Sequence, residues 1–121
     1  MNNELMAPGD RKGKALLSAG FLERVAERFK VLGEPARLRL VHCLMEGEKS
    51  VGTLVEESGL NQANTSRHLQ GLVQAGLLAR RKEGNFVYYR ILDPSVFELC
   101  DLVCRSLQER HREEAGVLRP E

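Results

Sequence analysis

Apolar positions along the chain follow two different periods, and each stretch predicts its own element. Leu17, Phe21, Val25, Phe29 and Leu32 recur at helical spacing up to Gly33, which predicts a first amphipathic helix with a glycine stop. A second helix opens at Glu34-Pro35, because proline suits the first helical position, where its missing N–H costs nothing. It runs through Leu38, Val41, Leu44 and Met45 to Gly47. Ser50 holds an N-cap position with Thr53 three residues on, and the short segment Val51 to Ser58 turns Val51, Leu54 and Val55 inward. Gly59-Leu60-Asn61 makes a tight turn with Asn61 as the next cap. A fourth helix, Gln62 to Ala75, buries Ala63, Leu69, Leu72 and Val73 and stops at Gly76.

The period then shortens. Leu77 to Lys82 and Phe86 to Ile91 are short runs rich in Leu, Val, Tyr and Ile, joined by Glu83-Gly84-Asn85, whose Gly-Asn pair is a hairpin-turn dipeptide. Tyr88 and Tyr89 alternate across the second strand, so one belongs to the core and the other faces the groove side or solvent. Asp93-Pro94 caps and opens a last long helix, with Val96, Leu99, Cys100, Val103, Cys104 and Leu107 as its apolar stripe. Glu98, Asp101, Arg105 and Glu109 sit elsewhere on it. Residues 1–14 have no apolar period and read as a flexible tail, as do residues 113–121; residues 15–112 form one domain.

The order of these elements carries the functional reading. Two short helices joined by a glycine-containing turn make a helix-turn-helix, whose second helix enters the DNA major groove with its N-terminal residues. Here that helix opens with Gln62, Asn64, Thr65, Ser66, Arg67 and His68, amides and hydroxyls with one arginine, which suit base edges and phosphates. His68 has a second reading, packing against the turn. The hairpin that follows carries Arg80, Arg81, Lys82 and Asn85, placing cations where a wing meets the DNA backbone. The predicted fold is therefore mainly α with a small β-hairpin, a winged helix-turn-helix. The stripe on the last helix lies outside this unit and needs a cover. The first helix and its copy in a second chain provide one, a homodimer through the first and last helices that presents two recognition helices to a palindromic operator in double-stranded DNA.

Charge supports an anion-binding middle. Between Gln62 and Arg90 the cations Arg67, Arg80, Arg81, Lys82 and Arg90 face one acid, Glu83, whereas from Ile91 onward seven acids outnumber four arginines. No apolar run approaches the ~20 residues that span a bilayer, and the polar N-terminus is unlike a secretory signal. The expected location is cytoplasmic, with no membrane partner. Three cysteines, Cys43, Cys100 and Cys104, form no paired framework and fit a reducing compartment. No phosphate-cradling loop, nucleophile–base pair or Cys-x-x-Cys motif is present, so no enzyme and no cofactor are expected.

Three ordered stretches give the chain a family likeness: Phe29 to Leu40 at the entry to the second helix, Asn61 to Leu69 on the recognition helix, and Arg81 to Arg90 in the wing. It resembles the ArsR/SmtB-type family of bacterial winged-helix repressors over roughly Phe21 to Glu109. The resemblance implies a homodimer that represses a nearby promoter and leaves DNA when an inducer binds, often a metal ion, in other members arsenite, oxidants or reactive sulfur. The family's thiolate site uses a Cys box at the start of the third helix, where this chain has Ser50 and Gly52. Its zinc site on the last helix takes two acids and two histidines, and the matching positions are Asp93, Ser95, Ser106 and Glu109. Two carboxylates without imidazoles make a poor zinc site, so no metal site is expected in either place.

The cysteines remain as sensing candidates. Cys43 lies on the second helix, and some sulfur- and redox-sensing members resemble this chain in having a Cys there and another on the last helix. Cys100 and Cys104 share one helical face with β-carbons ~6 Å apart, wide for a relaxed disulfide. Redox or reactive-sulfur chemistry ranks ahead of arsenite on these grounds. Two alternatives stay open: the cysteines only pack, as free Cys commonly does, and another ligand is the inducer, or the winged helix docks protein instead of DNA.

Overall fold

The computed structural model describes residues 17–115, and the chain forms two units, Met1–Lys30 and Val31–Glu121. The N-terminal tail expected at 1–14 lies outside the described residues. So does most of the tail expected at 113–121, although residues 113–115 still belong to the last helix.

Helix α1 (Ala19–Leu32) supplies the described part of the first unit and reaches two residues into the second. Its start is set by Ser18, whose hydroxyl accepts the Phe21 N–H at 3.1 Å. Phe21, Leu22 and Phe29 on this helix are exposed.

The second unit is built from α2 (Pro35–Leu44), β1 (Lys49–Ser50), α3 (Val51–Ser58), α4 (Gln62–Gln74), β2 (Leu78–Glu83), β3 (Phe86–Ile91) and α5 (Ser95–Ala115). Local chemistry places the boundaries. Pro35 opens α2 without help from a Glu34 side-chain cap. The Ser50 hydroxyl accepts the Thr53 N–H at 3.2 Å, and the Asn61 carboxamide accepts the Asn64 N–H at 2.7 Å, capping α3 and α4. Gly59 closes α3 at φ 77°, a left-handed conformation that glycine adopts without steric cost, and this bend produces the turn of the helix-turn-helix. Asp93 accepts from the Ser95 N–H at 3.0 Å and starts α5.

The core is a compact set of leucines. Leu40 and Leu44 of α2, Leu54 of α3, Leu69 and Leu72 of α4, and Leu77 and Leu78 at the root of the hairpin are all almost fully buried, joined by Leu32, Val41, Tyr89 and Val96. Of the two tyrosines, Tyr89 is the core residue and Tyr88 is half-buried.

The sheet has three antiparallel strands in the order β1-β3-β2, one more than the hairpin read from sequence. Lys49 pairs with Tyr89 and Ser50 with Tyr88. A strand of two residues is too short to display a period, and Ser50 already serves as a cap. Gly84-Asn85 alone forms the loop, since Glu83 pairs with Phe86. Only Gly84 has a positive φ there, 61°, the φ signature of a type II′ turn.

Two expected inward residues point out. Leu38 is 40% exposed, and Ala63 is exposed as well. At ~100° per residue, Ala63 lies roughly 160° around α4 from the fully buried Thr65, so burying Thr65, Leu69 and Leu72 carries Ala63 to the opposite crest. On α5, Val96 is buried and Leu99 and Cys100 are half-buried, but Leu102, Val103 (48%) and Leu107 (53%) are exposed.

Two substitutions test this description by urea denaturation. Ser50→Ala removes the α3 cap and should lower stability by ~1 kcal/mol. Gly71→Ala should raise it by up to ~1 kcal/mol, because a β-carbon there meets only the Arg37 guanidinium at ordinary contact distance, 3.6 Å, and a mid-helix glycine is costly.

Candidate nucleic-acid interface

Burial of Thr65, Leu69 and Leu72 determines how α4 is rotated, and the rest of the helix sorts from there. Gln62, Ser66, Gln70 and Gln74 recur every fourth residue and climb one side of it. Together with Arg80 and Asn85 of the hairpin they line a groove of about 820 Å³ between α4, the start of α3 and the wing. Ala63 and Arg67 form the crest, farthest from the core. The exposed Arg67 guanidinium is steadied by the Asn64 carboxamide oxygen at 2.7 Å.

Two residues expected at the DNA surface do not reach it. Thr65 is 0% exposed, and its hydroxyl donates to the Asn61 carbonyl at 2.8 Å. A hydroxyl of this kind looks the same in sequence whether it caps internally or faces a base. His68 turns toward the start of α2, where its Nε2 stands 3.8 Å from the Glu34 carboxylate, too far for a hydrogen bond. Its Nδ1 is buried without a partner among the described residues. This histidine takes the packing role that its second reading gave it. Conversely, Gln70, Gln74 and Ala63 belong to the outward surface of α4, which sequence alone did not assign to them. Fourfold spacing from Gln62 and Ser66 was the signal for the two glutamines.

The hairpin also divides its charges. Cross-strand partners share a sheet face, so Arg80 with Tyr89 and Lys82 with Val87 lie on the helix side, and Arg81 with Tyr88 and Glu83 with Phe86 on the other. Arg80 and Lys82 are exposed and have no ion-pair partner among the described residues. Arg81 was expected to be a free cation like them, and it is not. Its Nε and Nη2 donate to both carboxylate oxygens of Glu48 at 2.8 and 2.9 Å, its Nη1 donates to Glu83 at 2.6 Å, and its Cζ lies over the Tyr88 ring, 4.6 Å from the ring centroid. The Arg81 hydrogen bond holds the Glu48 carboxyl below the usual carboxylate range. The pair is therefore intact above the ordinary Glu value of ~4.3 and loosens only as pH falls through the lowered one.

The three thiols differ. Cys43 is half-buried against the core, and its pKa is pushed up by burial first and by the nearby Glu57 carboxylate second. Cys100, also half-buried, is pushed up by burial and then by Cys104. Cys104 is exposed. Among the described residues, no three His, Cys, Asp or Glu side chains gather in a way that fits a metal ion, and no helix is long and apolar enough to cross a membrane.

An amide-lined groove beside a basic hairpin, with an arginine on the helix crest, has the donors and charges that suit double-stranded DNA. Residues 34–80 match the family described as bacterial regulatory protein, arsR family. The uncharacterized HTH-type transcriptional regulator Rv0081 of Mycobacterium tuberculosis (strain ATCC 25618 / H37Rv) is 37% identical over 94 residues, covering 77% of this chain and 82% of the relative. Its crystal structure superposes with a TM-score of 0.72, covering 79% of this chain and 97% of that one. The homodimeric winged helix-turn-helix DNA-binding domain of Mb0332 from Mycobacterium bovis, solved by NMR, is 32% identical with a TM-score of 0.73, covering 85% and 95% of the two chains. The AntR antimony-specific transcriptional repressor is 30% identical with a TM-score of 0.77, covering 88% and 96%. The chain belongs to the arsR family of bacterial regulatory proteins and is a winged helix-turn-helix, DNA-binding transcriptional repressor, not an enzyme.

Proposed function

We propose that the chain acts in the bacterial cytoplasm as a homodimer that reads an operator with α4 and is released by an ion that bonds its thiols. The rotation of α4 carries the first part. It sets Ala63 and Arg67 on the crest, where an arginine fork matches guanine O6 and N7 and a methyl side chain suits a thymine methyl. Gln62, Asn64 and Ser66 flank them, and Arg80, Lys82 and Asn85 take the backbone beside the major groove. Arg67→Ala should weaken binding to a duplex selected by this protein from random sequence by ~1–3 kcal/mol, with a smaller effect on unselected duplex. Equal losses on both would mean that Arg67 meets phosphate and reads no base.

The second copy is called for by exposed apolar surface. Leu102, Val103 and Leu107 on α5, and Phe21, Leu22 and Phe29 on α1, lie uncovered in the single chain. A solved relative is homodimeric. A two-fold pair also supplies two recognition helices for half-sites ~34 Å apart. Val103→Asp places a charge in this seam and should give a monomer by light scattering, with operator binding lost. A stable dimer that still binds would place the seam elsewhere.

The release signal is read by Cys100 and Cys104, one turn apart on α5 and next to the exposed stripe. Oxidants attack thiolates, and burial, which raises the pKa of Cys43 and Cys100, disfavours that form at both. That favours a soft ion, which displaces the thiol protons as it binds and so gains affinity as pH rises. The antimony-specific relative supports an ion of this class. Antimonite, arsenite or a mercurial should release the parent from DNA, more effectively at pH 8 than at pH 6.5. Cys100→Ser and Cys104→Ser should resist, while Cys43→Ser responds as the parent does. A response unchanged in all three variants would mean that the cysteines only pack and another ligand is the inducer.

A further inference from the structure

Arg81 stands out among the wing cations because three of its five N–H donors already meet carboxylates. Glu48 takes it in a two-point contact at 2.8 and 2.9 Å, Glu83 takes a third N–H at 2.6 Å, and its Cζ sits over the Tyr88 ring, 4.6 Å from the centroid. A fork-to-carboxylate contact of this kind is the strong, orienting form of an arginine ion pair. Its two ends are far apart in the chain: Glu48 lies in the connection just before β1, and Arg81 is in the middle of β2, an outer strand of the sheet. The pair therefore spans the sheet from the β1 side to the β2 side, across β3. It lies on the sheet face opposite the one that carries Arg80 and Lys82, by the register Arg81–Tyr88 against Arg80–Tyr89 and Lys82–Val87. Arg80 also lines the groove beside α4.

We propose that Arg81 is no phosphate ligand but the positioning residue of the wing, and that Glu48 is the anchor through which it acts, holding the hairpin so that Arg80 and Lys82 meet the DNA backbone. This rests on the reading of α4 and the wing as the DNA surface. A phosphate taking the Nε–Nη2 edge, the fork that binds two oxygens at once, would have to displace a carboxylate that already satisfies the same two donors, with no gain in charge pairing. Arg80 and Lys82 carry no such partner among the described residues. The roles of neighbouring cations thus separate by strand alternation, two for the nucleic acid and one for the fold of the wing.

Salt dependence distinguishes the two roles, since each phosphate contact contributes about 0.9 to the slope of log K against log salt. Binding of the full chain to a duplex it selects from random sequence is measured by fluorescence anisotropy over a salt series, with circular dichroism confirming that each variant is folded. Arg80→Ala takes away a cation that meets phosphate and should lower the slope by about 0.9 per protomer. Arg81→Ala should weaken binding roughly tenfold with the slope unchanged. Glu48→Gln, which keeps the shape but removes the anchoring charge, should weaken binding to a similar extent, and the double variant should be no worse than either single one. The opposite pattern overturns the proposal: tighter binding and a steeper slope in Glu48→Gln, as when a masked phosphate ligand is set free, or a slope reduced in Arg81→Ala. Failure to select any duplex would instead overturn the DNA reading itself, before Arg81 comes into question.

Discussion

Burial of Leu69 and Leu72 from α4 against Leu40, Leu44 and Leu54 is the contact on which the working surface depends. A helix in water has no preferred rotation, but one that loses about 25 cal/mol for every Å² of apolar surface left wet is strongly oriented. With Thr65 joining the leucines on the inner side, every other residue of α4 has an assigned direction. The glutamines face the wing, Ala63 and Arg67 crown the helix, and His68 turns toward Glu34. The surface offered to a duplex is thus a consequence of packing on the far side of the helix.

The hairpin shows the same logic with period two. Leu78 and Tyr89 are buried at its root, so the residues that share their face, Arg80 and Lys82, emerge on the helix side. Arg81 and Glu83 emerge on the other, within reach of Glu48. Net charge along the chain overstates the basic middle for this reason. Glu48 falls in the balanced first half of the sequence, yet it neutralises a cation 33 residues away. The set of cations left without carboxylates among the described residues is smaller and more directional than the count.

Exposed apolar residues on α1 and α5 stand in contrast to this closed core. The leucine cluster is complete without Leu102, Val103 and Leu107, so the second unit folds around its own centre while α5 keeps an uncovered stripe. Cys100 and Cys104 sit on that helix, one half-buried and one exposed, where bonding a single ion between them would act on the same surface that a second copy would cover. Cys43 packs against the core, away from that helix.

Sequence periodicity determined the helix order, the caps at Ser50 and Asn61, the glycine stops and the hairpin turn, because all of these arise from interactions within a few residues. It also placed Gln62, Asn64, Ser66, Arg67, Arg80, Lys82 and Asn85 on elements that do face outward. What it left open depends on partners distant in the chain. The strand at Lys49–Ser50 exists only because β3 pairs with it. Thr65 and Ala63 exchange their expected roles because Leu69 and Leu72 set the rotation of α4. Arg81 leaves the pool of free cations because folding brings Glu48 to it. Local spacing decides which residues form an element, and only tertiary packing decides which way its polar side chains face and which charges are already satisfied.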